Sequence, residues 1–167
     1  MSELDFTGRV VIVTGGTKGI GRTICESFLD RGADVLTCGR NEPGSLPTAG
    51  GRSARFTACD VRDPEVLDAL VSVAEETWGR VDVVVNNAGG APYADAATAS
   101  PRFSESIIRL NLLAPLHLAQ RANRTMQGQD DGGVIINIAS VSGTRPSPGT
   151  AAYGAAKAGL LSLTQSL

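Results

Sequence analysis

The sequence predicts an α/β fold, an open parallel sheet with helices on both faces, and three observations carry the prediction. Five short apolar runs, Val10-Val13, Ala33-Cys38, Phe56-Ala58, Val81-Val85 and Val134-Ile138, are mostly unbroken rather than alternating, as in strands buried on both faces. Helical stretches with legible ends separate these runs, the order that builds parallel sheets. A glycine-rich turn joins the first run to the first helix, the place where such sheets hold phosphate groups.

Each element follows in order. After Val10-Val13 and the turn, a helix is predicted from about Arg22 to Arg31, closed by Gly32. Beyond the second run, the Gly/Pro/Ser-rich stretch Asn41-Ser53 reads as a surface loop. A helix over Pro64-Trp78 is opened by Asp63 and closed by Gly79, and another runs from Pro101 to about Met126 behind Ser100. Gly128-Gly133 is a second loop, and a last helix covers Ala151 to Leu167. That helix stops without a glycine cap or breaker, so residues 1–167 read as a single domain that looks cut rather than finished.

Composition narrows the function. With 42% hydrophobic and 19% charged residues among 167, the chain suits a folded soluble domain. A net charge of -2 argues against nucleic acid or an anionic membrane as partner and leaves a small molecule. Cys25, Cys38 and Cys59 are odd in number and widely spaced, which indicates buried thiols rather than a disulfide framework or a zinc site. Met1-Asp5 lacks a basic start leading into an apolar stretch, and a cytoplasmic protein is expected.

Tyr153 and Lys157 stand four residues apart on the last helix, which stacks phenol and ammonium on one face. A phenol ordinarily ionises near pH 10, and a fixed cation favours its charged form. Lys157 is also one of two lysines among fifteen basic residues; the other, Lys18, lies in the glycine turn. A compact ammonium serves where a guanidinium fork does not fit. Ser140 follows the strand Val134-Ile138, at the carboxyl end where ligands bind, and its hydroxyl can donate to a substrate oxygen; Ser142 is its local competitor. Asn111 sits mid-helix, where a solvated face is the plain alternative. Pro115, four residues on, has no N–H for the carbonyl of residue 111 and leaves that oxygen free.

Thr14-Gly-x-x-x-Gly-Ile-Gly21, Asn86-Asn-Ala-Gly89, Asn111, Ser140 and Tyr153-x-x-x-Lys157 occur in the order and approximate spacing of the short-chain dehydrogenase/reductase family. Five motifs in register, over essentially the whole chain, resemble that family. The resemblance implies a Rossmann-like doubly wound sheet that transfers hydride between NAD(P) and a carbonyl or alcohol, without a metal. It implies that Gly15, Thr17, Gly19, Ile20 and Gly21 bind pyrophosphate, and that Asp60, beside Val61, holds the adenine amino group. For Asp60 a helix-entry or loop carboxylate beside Arg62 is the alternative. Asn87, Ala88 and Gly89 would contact the ribose while bracing the sheet. The Asn111 main-chain carbonyl would hold a water linking Lys157 to solvent. Tyr153 would be the general acid/base, Ser140 would hold the substrate oxygen, and Lys157 would bind the nicotinamide ribose.

The segment Thr37-Arg40 offers no acid for a ribose 2'-hydroxyl, while Lys18 and Arg40 flank that corner. Two cations suit a 2'-phosphate, so NADP(H) is expected over NAD(H), a pair of solvated surface charges being the alternative. His117 has no metal-ligand companion and Trp78 reads as packing. Tyr93 is a candidate wall of the substrate pocket, and Arg145 a weaker candidate to face substrate. By resemblance the full-length protein is a homodimer or homotetramer assembled through the last two long helices. The resemblance also implies that this single dinucleotide-binding domain, residues 1–167, is incomplete, its C-terminal strands and substrate lid absent, so the competing expectation is a non-catalytic nucleotide-binding or interaction protein.

Overall fold

The computed structural model describes residues 4–167. Part of the opening segment read for a leader, residues 1–3, lies outside the described residues. All five predicted strands form one parallel sheet. They are β1 (Val10–Thr14), β2 (Asp34–Gly39), β5 (Arg55–Ala58), β6 (Val83–Asn86) and β7 (Val134–Asn137), in the order β5-β2-β1-β6-β7. Ile12 of β1 stands opposite Leu36 on one side and Val84 on the other, and Val84 opposite Ile135. The chain leaves β1 for β2 in one direction and later returns to β6 in the other. The carboxyl ends of β1 and β6 therefore flank the switch point of a doubly wound sheet, where ligands bind.

The predicted helices are present with shifted ends. Helix α1 (Gly19–Asp30) begins earlier than Arg22 because extended Lys18 places the turn ahead of Gly19. Helix α2 (Pro64–Trp78) has the predicted bounds: the Asp63 carboxylate accepts from Glu65 N at 3.0 Å, and Gly79 closes it in the left-handed conformation. Ser100 caps α3 (Pro101–Ile108) by accepting from Phe103 N. What reads in sequence as one helix from Pro101 is α3, a π turn over Arg109–Leu113, and α4 (Ala114–Gln127). In the π turn Ala114 N–H reaches back to Arg109 O, so the ladder widens just before Pro115 removes a donor.

Two expectations are corrected. The loop Asn41-Ser53 contains a hairpin, β3 (Thr48–Ala49) against β4 (Arg52–Ser53), because Gly50 and Gly51 supply two successive positive φ angles. The run Val81-Val85 becomes strand only at Val83: Val81 N and O are taken by the Gln129 side chain, and Asp82 bonds Val10 O and Val134 N at the entry to the sheet. The Asp82 carboxylate accepts from Val10 N at 2.9 Å and from Arg80 and Arg9. Burial would raise its pKa, but those donors hold it below the ordinary carboxylate value.

Two cores fill the faces. Ile12, Leu36, Leu70 and Val84 meet α2 and α4 on one, and Val11, Val35, Val85 and Leu29 meet α1 on the other. Helix α5 (Ala151–Ser166) follows a short 3-10 turn, Val141–Gly143, and packs against α3 and the π turn.

Candidate active site

The first βα turn is shaped by close approach. Gly15 and Gly19 have φ of +66° and +55°, which only glycine adopts freely. A Cβ on Gly21 would lie 2.4 Å from the Asn87 side-chain nitrogen. That amide donates to Thr14 O at 2.9 Å and Gly15 O at 3.2 Å, while Thr14 Oγ1 accepts from Asn87 N and Ala88 N. Gly16 N donates to Thr37 Oγ1, which donates to Val13 O. The glycine turn and the Asn86-Gly89 turn are thus one locked unit, and Asn87 braces it rather than standing free.

A cavity of about 690 Å³ opens above this unit. Its wall takes in Gly15, Lys18, Gly19, Ile20 and Gly21 on one side, and Arg40 and Val61 at the far end. Asn87, Ala88 and Gly89 form its floor, and Ser140, Tyr153 and Lys157 close the other end. The predicted residues are therefore brought together, with three outside the wall: Thr17, Asp60 and the buried Asn111. Thr17 turns its hydroxyl toward Gly39. Asp60 is bound by Arg62, whose guanidinium holds its carboxyl below the ordinary carboxylate range, with a smaller contribution from the charge of Arg40. Asp60 thus engages the Arg62 beside it, and Arg62 also reaches Ser106.

At the catalytic end, α5 carries Tyr153 in its first turn and Lys157 one turn later. The Lys157 ammonium lies 5.8 Å from the centre of the Tyr153 ring and donates to Ile138 O at 2.7 Å. Lys157 is buried, and burial holds its pKa below the ordinary lysine value. A Cβ on Gly143 would lie 2.7 Å from the Lys157 carbonyl carbon, so this glycine lets the 3-10 turn seat against α5. Ser140 starts that turn, and its Oγ accepts from Ser142 N at 3.2 Å. The acceptor contact leaves the hydroxyl hydrogen available to a substrate oxygen. The competitor Ser142 also accepts, from Ser147 Oγ, but unlike Ser140 it is not part of the cavity wall.

Asn111 overturns its solvated-face alternative: it is fully buried. Its Oδ1 accepts from Gly90 N at 2.8 Å, and its Nδ2 donates to Gly90 O and Ile107 O. A Cβ on Gly89 would meet that Oδ1 at 2.7 Å and stand 3.5 Å from Lys157 Nζ. Asn111 therefore holds the loop beside Lys157 through its side chain, in addition to any part its carbonyl plays. Sequence reasoning missed Gly90, Ile138 and Gly143. Gly90 and Gly143 carried a signal as glycines beside motif residues. Ile138 acts through its carbonyl, which every residue type provides.

These features fit a dinucleotide. Positive-φ glycines leave open space at Gly19, the cavity is long, and cations stand at one end with a tyrosine-lysine pair at the other. Among the described residues no cluster of His, Cys, Asp and Glu could hold a metal ion, and no helix is long and apolar enough to cross a membrane.

Comparisons with known proteins agree with this geometry. Residues 9–167 match the model of the short chain dehydrogenase family. The chain is 34% identical to an uncharacterized oxidoreductase of Thermotoga maritima, over 98% of this chain and 66% of the relative. It is 33% identical to a 3-oxoacyl-(acyl-carrier-protein) reductase of Escherichia coli, over 98% and 68%, and 33% identical to a sorbitol dehydrogenase of Cereibacter sphaeroides, over 98% and 64%. Among solved structures, Thermoplasma acidophilum aldohexose dehydrogenase superposes with a TM-score of 0.88 at 31% identity, over 96% of this chain and 60% of that one. The chain spans about two thirds of the length of these relatives. With family model, relatives and site geometry in accord, the chain belongs to the short-chain dehydrogenase family, a family of oxidoreductases with a Rossmann-like fold.

Proposed function

We propose that this chain forms the cofactor-binding and catalytic portion of an NADP(H)-dependent oxidoreductase that interconverts a carbonyl and an alcohol, with Tyr153 as general acid/base. The observation that carries the reading is the single cavity that brings Ser140, Tyr153 and Lys157 to one end and Lys18 and Arg40 to the other, along the glycine turn. The nicotinamide, when bound, supplies or accepts the hydride.

The chain's own residues do the rest. Gly15, Gly19, Ile20 and Gly21 offer backbone to the pyrophosphate at the start of α1. Lys18 and Arg40 receive a 2'-phosphate at the end of β2, and Val61, with Asp60 behind it, borders the adenine. Asn87, Ala88 and Gly89 support the ribose. The Ser140 hydroxyl donates to the substrate oxygen, and Tyr153 moves a proton to or from that oxygen. Lys157 donates to the nicotinamide ribose, and its ammonium stands 5.8 Å from the centre of the Tyr153 ring. Asn111 holds the Gly89-Gly90 loop beside the ammonium, and its carbonyl at the widened turn is the candidate relay to solvent.

The whole protein is proposed to be a cytoplasmic homodimer or homotetramer joined through α4 and α5. The test is NADPH oxidation with a panel of carbonyl compounds, using protein made from the complete coding sequence. Tyr153→Phe is expected to lower turnover about a thousandfold while leaving the Kd for NADPH within about twofold. Retained turnover removes the tyrosine from its role.

A further inference from the structure

The strap Gly90–Ala94, which leaves the cavity floor after Gly89, is tied at both ends. At one end the Asn111 amide exchanges hydrogen bonds with Gly90 N and O at 2.8 and 3.0 Å. At the other, Ala94 N donates to Gly149 O at 2.8 Å, on the loop that leads into α5. Between the ties, Tyr93 lies against Gly149. A Cβ at position 149 would come within 2.0 Å of Tyr93 Cε2, and Gly149 has φ of +74°, so the ring can sit there only over glycine. Tyr93 nevertheless remains 79% exposed. A ring fixed by two anchored loops with a face still open to solvent is a preorganised contact surface.

The surroundings are apolar as well. Ala91, Pro92 and Ala94 of the strap share with Tyr153 the wall of a cavity of about 70 Å³, closed on the far side by Phe103 and Ile107. Val141, the residue after Ser140, is 66% exposed. The hydroxyls of the loop before α5 are turned on one another: Ser147 Oγ bonds Ser142 Oγ at 3.1 Å and also meets Thr150 Oγ1. A polyhydroxylated substrate needs free donors and acceptors around it, and this mouth offers ring, methyl and methylene surface. Arg145 is the exposed charge on the same loop.

We infer that Tyr93 is a specificity-determining residue whose open ring face packs against an apolar substituent of the carbonyl substrate, so that the site selects aryl- or alkyl-substituted ketones and 3-oxo esters over polyhydroxylated ones. The inference rests on the carbonyl-reducing role of Tyr153. It goes further by naming the side of the site that selects and the chemistry selected.

The experiment compares ethyl benzoylacetate, dihydroxyacetone and acetoacetate as substrates for the protein made from its complete coding sequence. Tyr93→Ala is expected to raise KM for ethyl benzoylacetate about tenfold, with kcat within about twofold, the loss of one apolar ring face from the contact. KM for dihydroxyacetone and acetoacetate, and the Kd for NADPH, stay unchanged, and Tyr93→Phe restores the parent KM. An equal loss on all three substrates, or none, overturns the assignment. A loss greatest on acetoacetate overturns it in favour of an anionic substituent held near Arg145. Amide hydrogen exchange supplies a readout independent of turnover. Tyr93→Ala and Gly149→Ala each should speed exchange in residues 90–95 and 144–150 and nowhere else, and unchanged exchange removes the strap. A parent enzyme that reduces none of the three overturns the reaction assigned to Tyr153 and the substrate class with it, while exchange still judges the strap on its own.

Discussion

The cofactor corner and the catalytic edge of this molecule are built in different ways. In the corner, every residue of β1 is buried, β2 is buried through its centre, and helices cover both faces. The turn above is held by backbone and glycine geometry that one chain supplies to itself. At the edge, β7 alternates between exposed and half-buried, with Val134 at 55% and Ile136 at 38% exposure. Along α5 only Ala156, Lys157 and Leu160 are buried. What binds that helix to the sheet is largely polar: Asn86 donates to Asn137, Asn137 donates to Thr164, and Lys157 donates to Ile138 O. Hydrophobic burial sets the half proposed to bind the cofactor. Directional bonds set the half proposed to react, where position matters more than stability.

Lys157→Met tests the contrast most sharply, because it removes a group with a proposed part in the chemistry whose charge is disfavoured by burial. Turnover is expected to fall at least about a hundredfold. Stability at pH 7 is expected to stay level or rise. Burial depresses the pKa of this base, so the folded state disfavours its proton. That penalty is present in full below the folded value and fades as pH rises from there toward the ordinary 10.5. Any Tm advantage of the variant should therefore shrink at alkaline pH. A clearly lower Tm at pH 7 would mean that the bond to Ile138 outweighs the cost of burying the charge.

Truncations on the two sides test burial directly. Leu36→Ala, in the centre of β2 with no exposure, should cost about 3 kcal/mol in urea unfolding. Ile136→Ala on β7 should cost less than about 1 kcal/mol, because much of that side chain already meets water. Equal costs would show that the edge strand is covered in solution by something that these residues do not include.

The same contrast explains what could be read from sequence. The corner was legible because it depends on pattern: unbroken apolar runs, glycines at fixed spacing, and caps such as Asp63 and Gly79. Tyr153, Lys157 and Ser140 were legible because their spacing on one helix and one strand end is local. Asn111 was found for its carbonyl, yet its buried amide acts on Gly90, twenty-one residues away in sequence. No periodicity encodes that contact. The hairpin at Gly50-Gly51 went unread because two-residue strands are shorter than any alternation can reveal. Asp60 shows the reverse limit: a position in the right place along the chain can still have its carboxylate engaged by a neighbour two residues on.

The last expected effect lies wholly in the corner and leaves the edge alone. Arg40→Gln should weaken NADPH binding about tenfold, roughly 1.4 kcal/mol, and leave NADH binding within about twofold. The loss is limited because Lys18 remains on the other side of the cavity end. Arg40→Asp should shift the preference further, since a carboxylate repels a 2'-phosphate and can accept from a 2'-hydroxyl. Asp60 complicates that variant: it already feels the charge of Arg40, and a second carboxylate beside it would disturb the Asp60–Arg62 pair as well. The glutamine variant separates the two effects, because it removes the cation without adding an anion. With both variants, kcat at saturating NADPH should hold, since Ser140, Tyr153 and Lys157 stand at the opposite end of the cavity. An unchanged NADPH to NADH ratio in both would leave Lys18 and Arg40 as solvated surface charges and take the 2'-phosphate out of this corner.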